Sequence, residues 1–387
     1  MAPWQASVDR FCHQYLQLEA EPTLPPAEFL KLSEAQEAIY DRAFSDRLRY
    51  APPQRHQLRV LKALVAAIER SIDEDWEQYA LSDNLMSALT TLLAAPLPSE
   101  VDAARQKCYV TYALSLLPRG GEEAEAEAPS PPTITLLENR SLISAGGTTG
   151  LRTWEAALHL GQYLCERPAI VRGRRVLELG AGTGYLSILC ARHLRSAHVV
   201  ASDGSDDVLA NLPDSLLLNG LPQQQRQEEE AGASSSPSSS SRPNITPMEL
   251  EWGHTTLAAA AARGQDQDQD QDVDVDVVLG ADITYDGSVI PALTATLRAL
   301  FARHPRVEVY VAATQRNRAT FAVFLDACRA GRLAVEDLGY AATPREAQTG
   351  PFYSDAVEIR VCRIRRDCPD AASPSETDEK EGQRSGF

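Results

Sequence analysis

An acid and a phenol three residues apart, Asp282 and Tyr285 in the stretch GADITYD at 280–286, are the side chains of this sequence best suited to handling an amine. They follow the apolar run VDVVLGAD, which reads as a buried parallel strand, so both would project into the crevice at the strand's carboxyl end. A carboxylate can orient an incoming amine, and a phenol offers a hydroxyl and a ring face for a cation. An attacking amine must first lose its proton, which costs about 4 kcal/mol at neutral pH from an ordinary lysine pKa. A neighbouring positive charge and desolvation both lower that cost. The plainer reading of the same residues is an Asx-type turn followed by a core tyrosine.

A second constellation lies about a hundred residues upstream. In VLELGAGTGYLSI at 176–188, a short apolar strand runs into Gly180, Gly182 and Gly184 and then into a helical pattern. Alternating glycines allow a sharp turn and close backbone approach to a ligand. The spacing is GxGxG, with Tyr185 where a dinucleotide fold places its third glycine, which weighs against a nicotinamide cofactor. Glu178, just before the first glycine, would attract a cationic ligand group rather than a pyrophosphate. S-adenosylmethionine carries two such groups, an ammonium and a sulfonium. Asp203, at the end of AHVVASD, stands about 20 residues after the turn, where an acid accepts hydrogen bonds from both ribose hydroxyls. Trp252, in ELEWG, is expected at the end of the third strand, either covering an adenine face or filling the core.

These residues need a sheet to gather them. From residue 134, strand-like and helix-like runs alternate: RRVLELG, a helix at 185–193, AHVVASD, a helix at 206–219, MELEW, VDVVLGAD, a helix at 288–303, VEVYVAAT, a helix at 317–330, LAVEDLGY and AVEIRVCRI. That order predicts an α/β fold, a Rossmann-like seven-stranded, mostly parallel sheet closed by an antiparallel last strand. Residues 1–117 read as a helical subdomain, with Leu58, Leu61, Val65, Ile68 and Ile72 on one helix face and a cap at Ser82 or Asp83 before another helix. The proline-rich, acidic stretch 118–133 reads as a linker, 134–366 as the α/β domain with low-complexity inserts at 222–245 and 263–273, and 367–387 as an acidic tail. The domain boundary is expected in the linker.

The net charge of −17 sits mostly in the linker, the inserts and the tail. The foldable remainder is close to neutral, which argues against a broad nucleic-acid groove or an anionic membrane surface. Alternating aspartates in the second insert lack the glycine and the bidentate glutamate of a calcium loop, so no metal is expected. Seven scattered cysteines without a CxxC pair suit free thiols in a reducing compartment, and the first residues lack a signal-peptide pattern. A monomeric cytoplasmic protein is the expectation.

Taken together, ELGAGTG, the Ser-Asp of the second strand, LEW and Asp282-Ile283-Thr284-Tyr285 resemble the seven-strand S-adenosylmethionine-dependent protein lysine methyltransferases with a DxxY motif. The resemblance covers 134–366. Within that group, GGTTGLRTWEAALHL at 146–160, VYVAATQRN at 309–317, PFYSD at 351–355 and the helical N-terminal extension are similar to the members that act on translation elongation factor 2. The resemblance implies that Glu178, Gly180, Gly182 and Gly184 hold the methionine end of S-adenosylmethionine, Asp203 the ribose and Trp252 the adenine side. Trp154 and Ala281 would pack beside the cofactor, and Asp282 and Tyr285 would face the target lysine. The same fold acting on another protein's lysine or histidine, on a small amine, or serving as a catalytically idle binding module are the alternatives.

Overall fold

The computed structural model describes residues 2–73, 75–99, 106–119, 131–139, 149–221, 244–253 and 274–367. Most of the expected linker, inserts and tail lies outside the described residues.

The first hundred residues are helical: α1 (Gln5–Leu16), α2 (Ala27–Leu30), α3 (Ser33–Ile39), α4 (Gln54–Ile72) and α5 (Asp83–Ala94). Ser82 caps α5, its hydroxyl accepting the Leu85 N–H at 3.4 Å. On α4, Leu61, Val65 and Ile68 are buried as the spacing predicts, but Leu58 and Ile72 are only half-buried, while Val60 and Leu64 join the core. Both α2 and α5 pack on α4, and the buried arc is wider than one heptad stripe.

The expected all-helical 1–117 region ends in a strand instead. β1 (Cys108–Ala113) pairs antiparallel with β2 (Thr133–Glu138), with Val110 opposite Leu136. A boundary drawn in the intervening linker would therefore cut a β-pair. β1 packs on α1, and β2 on a helix of the α/β unit, so this small sheet joins the two halves of the chain.

In the α/β unit follow α6 (Glu155–Glu166), β3 (Arg175–Leu179), α7 (Tyr185–Ile188), β4 (His198–Asp203), α8 (Asp206–Leu218), β5 (Ile245–Glu249), β6 (Val277–Ala281), α9 (Ile290–Arg303), β7 (Glu308–Thr314), α10 (Arg318–Ala330), β8 (Leu333–Asp337) and β9 (Ile359–Arg366). The seven strands lie in the order β5-β4-β3-β6-β7-β9-β8. All neighbouring pairs are parallel except those of β9, which runs antiparallel to both β7 and β8. Successive residues feed opposite faces: Val176, Val277, Leu279 and Tyr310 enter one core with α6, α7 and α8, while Leu177, Leu179, Val278 and Val309 enter the other with α9 and α10. Burial on both faces explains why these strands read as unbroken apolar runs. The strand order reverses between β3 and β6, and ligands of such sheets bind beyond the carboxyl ends at that point.

Helix α1 is latched to the loop before β9. Arg10 Nη2 donates to the Arg345 carbonyl at 3.0 Å, His13 Nδ1 lies 3.1 Å from the Thr349 carbonyl, and the Phe352 N–H donates to Gln17 Oε1 at 2.8 Å. Phe352 is buried beneath the Arg10 guanidinium. Val8, Phe11 and Tyr15 on the opposite side of α1 are fully buried, which stabilises the chain by roughly 5 kcal/mol. Deleting residues 2–24 is expected to lower the thermal unfolding midpoint by roughly 10 °C, read by calorimetry. An unchanged midpoint would show the N-terminal helices to be an independent appendage.

Candidate functional site

A cavity of about 1070 Å³ opens at the carboxyl ends of β3, β4 and β6, at the reversal point of the sheet. Nine of the ten residues expected at a site border it: Trp154, Glu178, Gly180, Gly182, Asp203, Trp252, Ala281, Asp282 and Tyr285. Gly184 does not. Its φ is +85°, and a Cβ there would lie 2.5 Å from Leu212 Cδ1, so this glycine serves the packing of α7 against α8.

The glycine turn forms the floor. Gly182 has φ +54°, and an added Cβ would meet the Gly150 carbonyl oxygen at 3.2 Å, so the segment before α6 closes down over it. The Gly182 N–H donates to Asp203 Oδ2 at 3.1 Å, and the Ser205 N–H donates to Oδ1 at 3.0 Å. Those two bonds aim the Asp203 carboxylate across the loop at the tip of β4. Burial raises its pKa, and the surrounding backbone N–H groups oppose the rise.

Glu178 interrupts the apolar run of β3 after Arg175 and is only 3% exposed. Its Oε2 accepts from the Ser187 hydroxyl on α7. Burial pushes its carboxyl up to about 8, against the Ser187 bonds and with a smaller push from the Asp203 charge. Burial thus favours the neutral acid, and a cation beside it would favour the carboxylate. Trp252 stands three residues beyond the end of β5 rather than on the strand, in a turn, half-buried against the core and bordering the cavity. The indole therefore packs on the core while one side of it lines the cavity. An acid in the floor, a second at the β4 tip and an indole in the wall fit a nucleoside with a cationic tail.

The opposite wall is the DITY turn. Asp282 takes φ +51°, an uncommon conformation for a residue with a side chain and one tolerated best by Asp and Asn. The turn buries Thr284 and leaves Asp282, Ile283 and Tyr285 on the cavity. Asp282 is 9% exposed, and its carboxylate is fixed by the end of β7: the Thr314 N–H donates to Oδ1 at 2.8 Å, and the Thr314 hydroxyl and Arg316 Nη1 donate to Oδ2 at 2.9 and 3.3 Å. Burial raises the Asp282 pKa, with Thr314 and Arg316 working against it. Tyr285 is 58% exposed and presents its ring at the mouth.

Arg316, Thr153 and Glu138 also belong to this arrangement and were not singled out in the sequence. Arg316 follows β7 by two residues and pairs with Glu155 as well as Asp282, its guanidinium 5.0 Å from the Trp154 ring centroid. Trp154 itself donates its indole N–H to the Thr149 carbonyl at 2.9 Å. Beneath it, Thr153 donates to the buried Glu138 carboxylate at 2.6 Å and lies 2.7 Å from the Thr183 hydroxyl of the glycine turn. Tyr112 of β1 donates to the same Glu138 oxygen at 2.7 Å, which ties the small sheet to the floor of the cavity. A charged residue just past the end of the strand beside the one carrying the acid was the available clue to Arg316. Glu138 and Thr153 become neighbours only through the fold.

Comparison with known proteins adds the following. Residues 141–329 match the model of a family described as lysine methyltransferase. The chain is 48% identical over 358 residues to protein-lysine N-methyltransferase EFM3 of Chaetomium thermophilum, an alignment covering 92% of this chain and 97% of that one. It is 34% identical to the human protein-lysine N-methyltransferase EEF2KMT over 61% of this chain and 65% of that one. With EFM3 of Saccharomyces cerevisiae it shares 30% identity over 50% and 53% of the two chains.

Proposed function

The chain belongs to the S-adenosylmethionine-dependent protein-lysine N-methyltransferases, and on that premise we propose that it methylates a lysine of translation elongation factor 2 using Asp282 and Tyr285. The stretches 146–160, 309–317 and 351–355, which resemble the members directed at that factor, support this choice of substrate. The observation that carries the catalytic assignment is the Asp282 carboxylate, held by three donors in the wall of the cavity with Tyr285 beside it.

In this reading Glu178 faces the ammonium of the cofactor, Gly180, Gly182 and Ala281 give it backbone clearance, Asp203 takes the ribose diol, and Trp252 and Trp154 flank it. Bound S-adenosylmethionine supplies an electrophilic methyl group on a positively charged sulfur. The target lysine enters past Tyr285, whose ring face suits its aliphatic stem and its charge. Asp282 accepts an amine N–H and points the nitrogen lone pair into the cavity, so the neutral amine is presented in line. The proton leaves to solvent through the open mouth where Tyr285 sits.

We assign the enzyme to the cytoplasm as a monomer. Among the described residues six cysteines are free and no helix is long and apolar enough to cross a membrane. The test is incubation with tritiated S-adenosylmethionine and recombinant elongation factor 2, followed by peptide mapping. Label on a lysine of that factor is the expected result. Label on a histidine, on another protein of a cell extract or on small amines alone would overturn the substrate.

A further inference from the structure

Asp282 cannot act from geometry alone, because a buried carboxylate in a wall of mixed charge needs something to keep it ionised and turned toward the cavity. The described residues put one cation in contact with it. Arg316 reaches Asp282 Oδ2 with Nη1 at 3.3 Å, gives Nη2 to Glu155 at the start of α6, and lies over the Trp154 ring. β6 and β7 are parallel neighbours with Ala281 opposite Ala312, so the two strands end side by side and deliver Asp282 and Arg316 to one spot.

We propose that Arg316 is a positioning residue for methyl transfer, acting through Asp282: its guanidinium, anchored by Glu155 and by the Trp154 face, locks the Asp282 carboxylate in the orientation that receives the amine. This rests on the lysine-methyltransferase reading of the same site. The fork of an arginine is what the task requires. One nitrogen serves each carboxylate while the flat face lies on the indole, which a lysine ammonium cannot reproduce. Thr314 alone would hold the carboxylate through two neutral donors. The other titratable or charged groups on this wall are Arg152, which is 3.8 Å from Glu155, Glu155 itself, Glu178 and Tyr285.

Burial raises the Asp282 pKa, and Arg316 is one of the groups pulling it back. Without the guanidinium the carboxyl stays protonated to higher pH, so the acidic limb of the rate profile moves upward and activity returns as pH rises.

The experiment compares the parent with Arg316→Gln, Arg316→Lys, Asp282→Asn and the Arg316→Gln/Asp282→Asn double variant. Transfer from tritiated S-adenosylmethionine to recombinant elongation factor 2 is measured across pH. In parallel, the Asp282 carboxyl is titrated by carbon-13 NMR on the cofactor-free protein, assigned by its loss in Asp282→Asn. Expected for Arg316→Gln are a kcat at neutral pH lowered tenfold or more, cofactor affinity within a few-fold of the parent, an acidic limb shifted upward and a matching upward move of the carboxyl titration. Arg316→Lys should recover part of both, and Arg316→Gln should cost nothing further in the Asp282→Asn background. Coincident carboxyl titrations in parent and Arg316→Gln, or losses that simply add in the double variant, would overturn the proposal. A parent that labels no lysine would sink the functional reading instead, and the NMR titration would still decide the role of Arg316.

Discussion

Asp282→Ala is expected to slow methyl transfer at least a hundredfold at saturating cofactor while S-adenosylmethionine affinity changes only a few-fold. A hundredfold corresponds to about 2.7 kcal/mol of barrier, within what orientation of a reacting amine can supply. The alanine variant also removes the acceptor for Thr314 and Arg316 and keeps a Cβ at a left-handed position. Asp282→Asn separates these effects. Asparagine tolerates that conformation and retains an oxygen for the Thr314 N–H, although its amide NH2 faces Arg316, so its melting midpoint should fall less than that of alanine while its rate falls with that of alanine. Tyr285→Phe keeps the ring and should lose less. Single-turnover transfer of tritium to elongation factor 2 reads all three, and a parent-like rate in Asp282→Ala would reduce this carboxylate to a turn residue.

Gly182→Arg is expected to abolish cofactor binding, with an affinity loss of at least a hundredfold by calorimetry. The position has φ +54°, which costs a side-chain-bearing residue about 1–2 kcal/mol, and its Cβ would press on the Gly150 carbonyl oxygen at 3.2 Å. A long side chain must leave toward the cavity or push the 149–150 segment away. Either way the N–H that aims Asp203 is disturbed. Circular dichroism should stay near the parent, since the sheet's core lies below the turn. Unchanged affinity would remove the cofactor from this loop.

The seven strands of the main sheet, their directions and nine of the residues that border the cavity were legible in the sequence because the central strands are buried on both faces and end in glycines and acids. Neither strand of the small sheet was, Cys108–Ala113 nor Thr133–Glu138, since the two lie some twenty residues apart and so short an alternation is lost among helices and linker. On α4 the expected stripe named Leu58 and Ile72, whereas Val60 and Leu64 are buried in the core that α4 shares with α2 and α5. Gly184 illustrates a different loss of information. A glycine's type reports that space is short, but whether a ligand or a leucine such as Leu212 takes that space is decided by tertiary packing. Arg316 escaped notice because its meaning depends on β7 lying beside β6, a fact of sheet order rather than of spacing.

The latch between α1 and the loop at 345–352 also imposes a schedule on synthesis. His13 and its partner Thr349 are 336 residues apart, so at about 5–20 residues per second roughly 20 to 70 s separate the two on the ribosome. During that interval the apolar side of α1, Val8, Phe11 and Tyr15, has its partners on α3 and α4 already made, and only the polar side is kept waiting. A chain built this way can shelter its greasy surface early and tolerate delay, because what stands open is hydrophilic and attracts water rather than other nascent chains. Closure of the polar clasp then becomes a late event, coupled to the arrival of the last strand of the sheet.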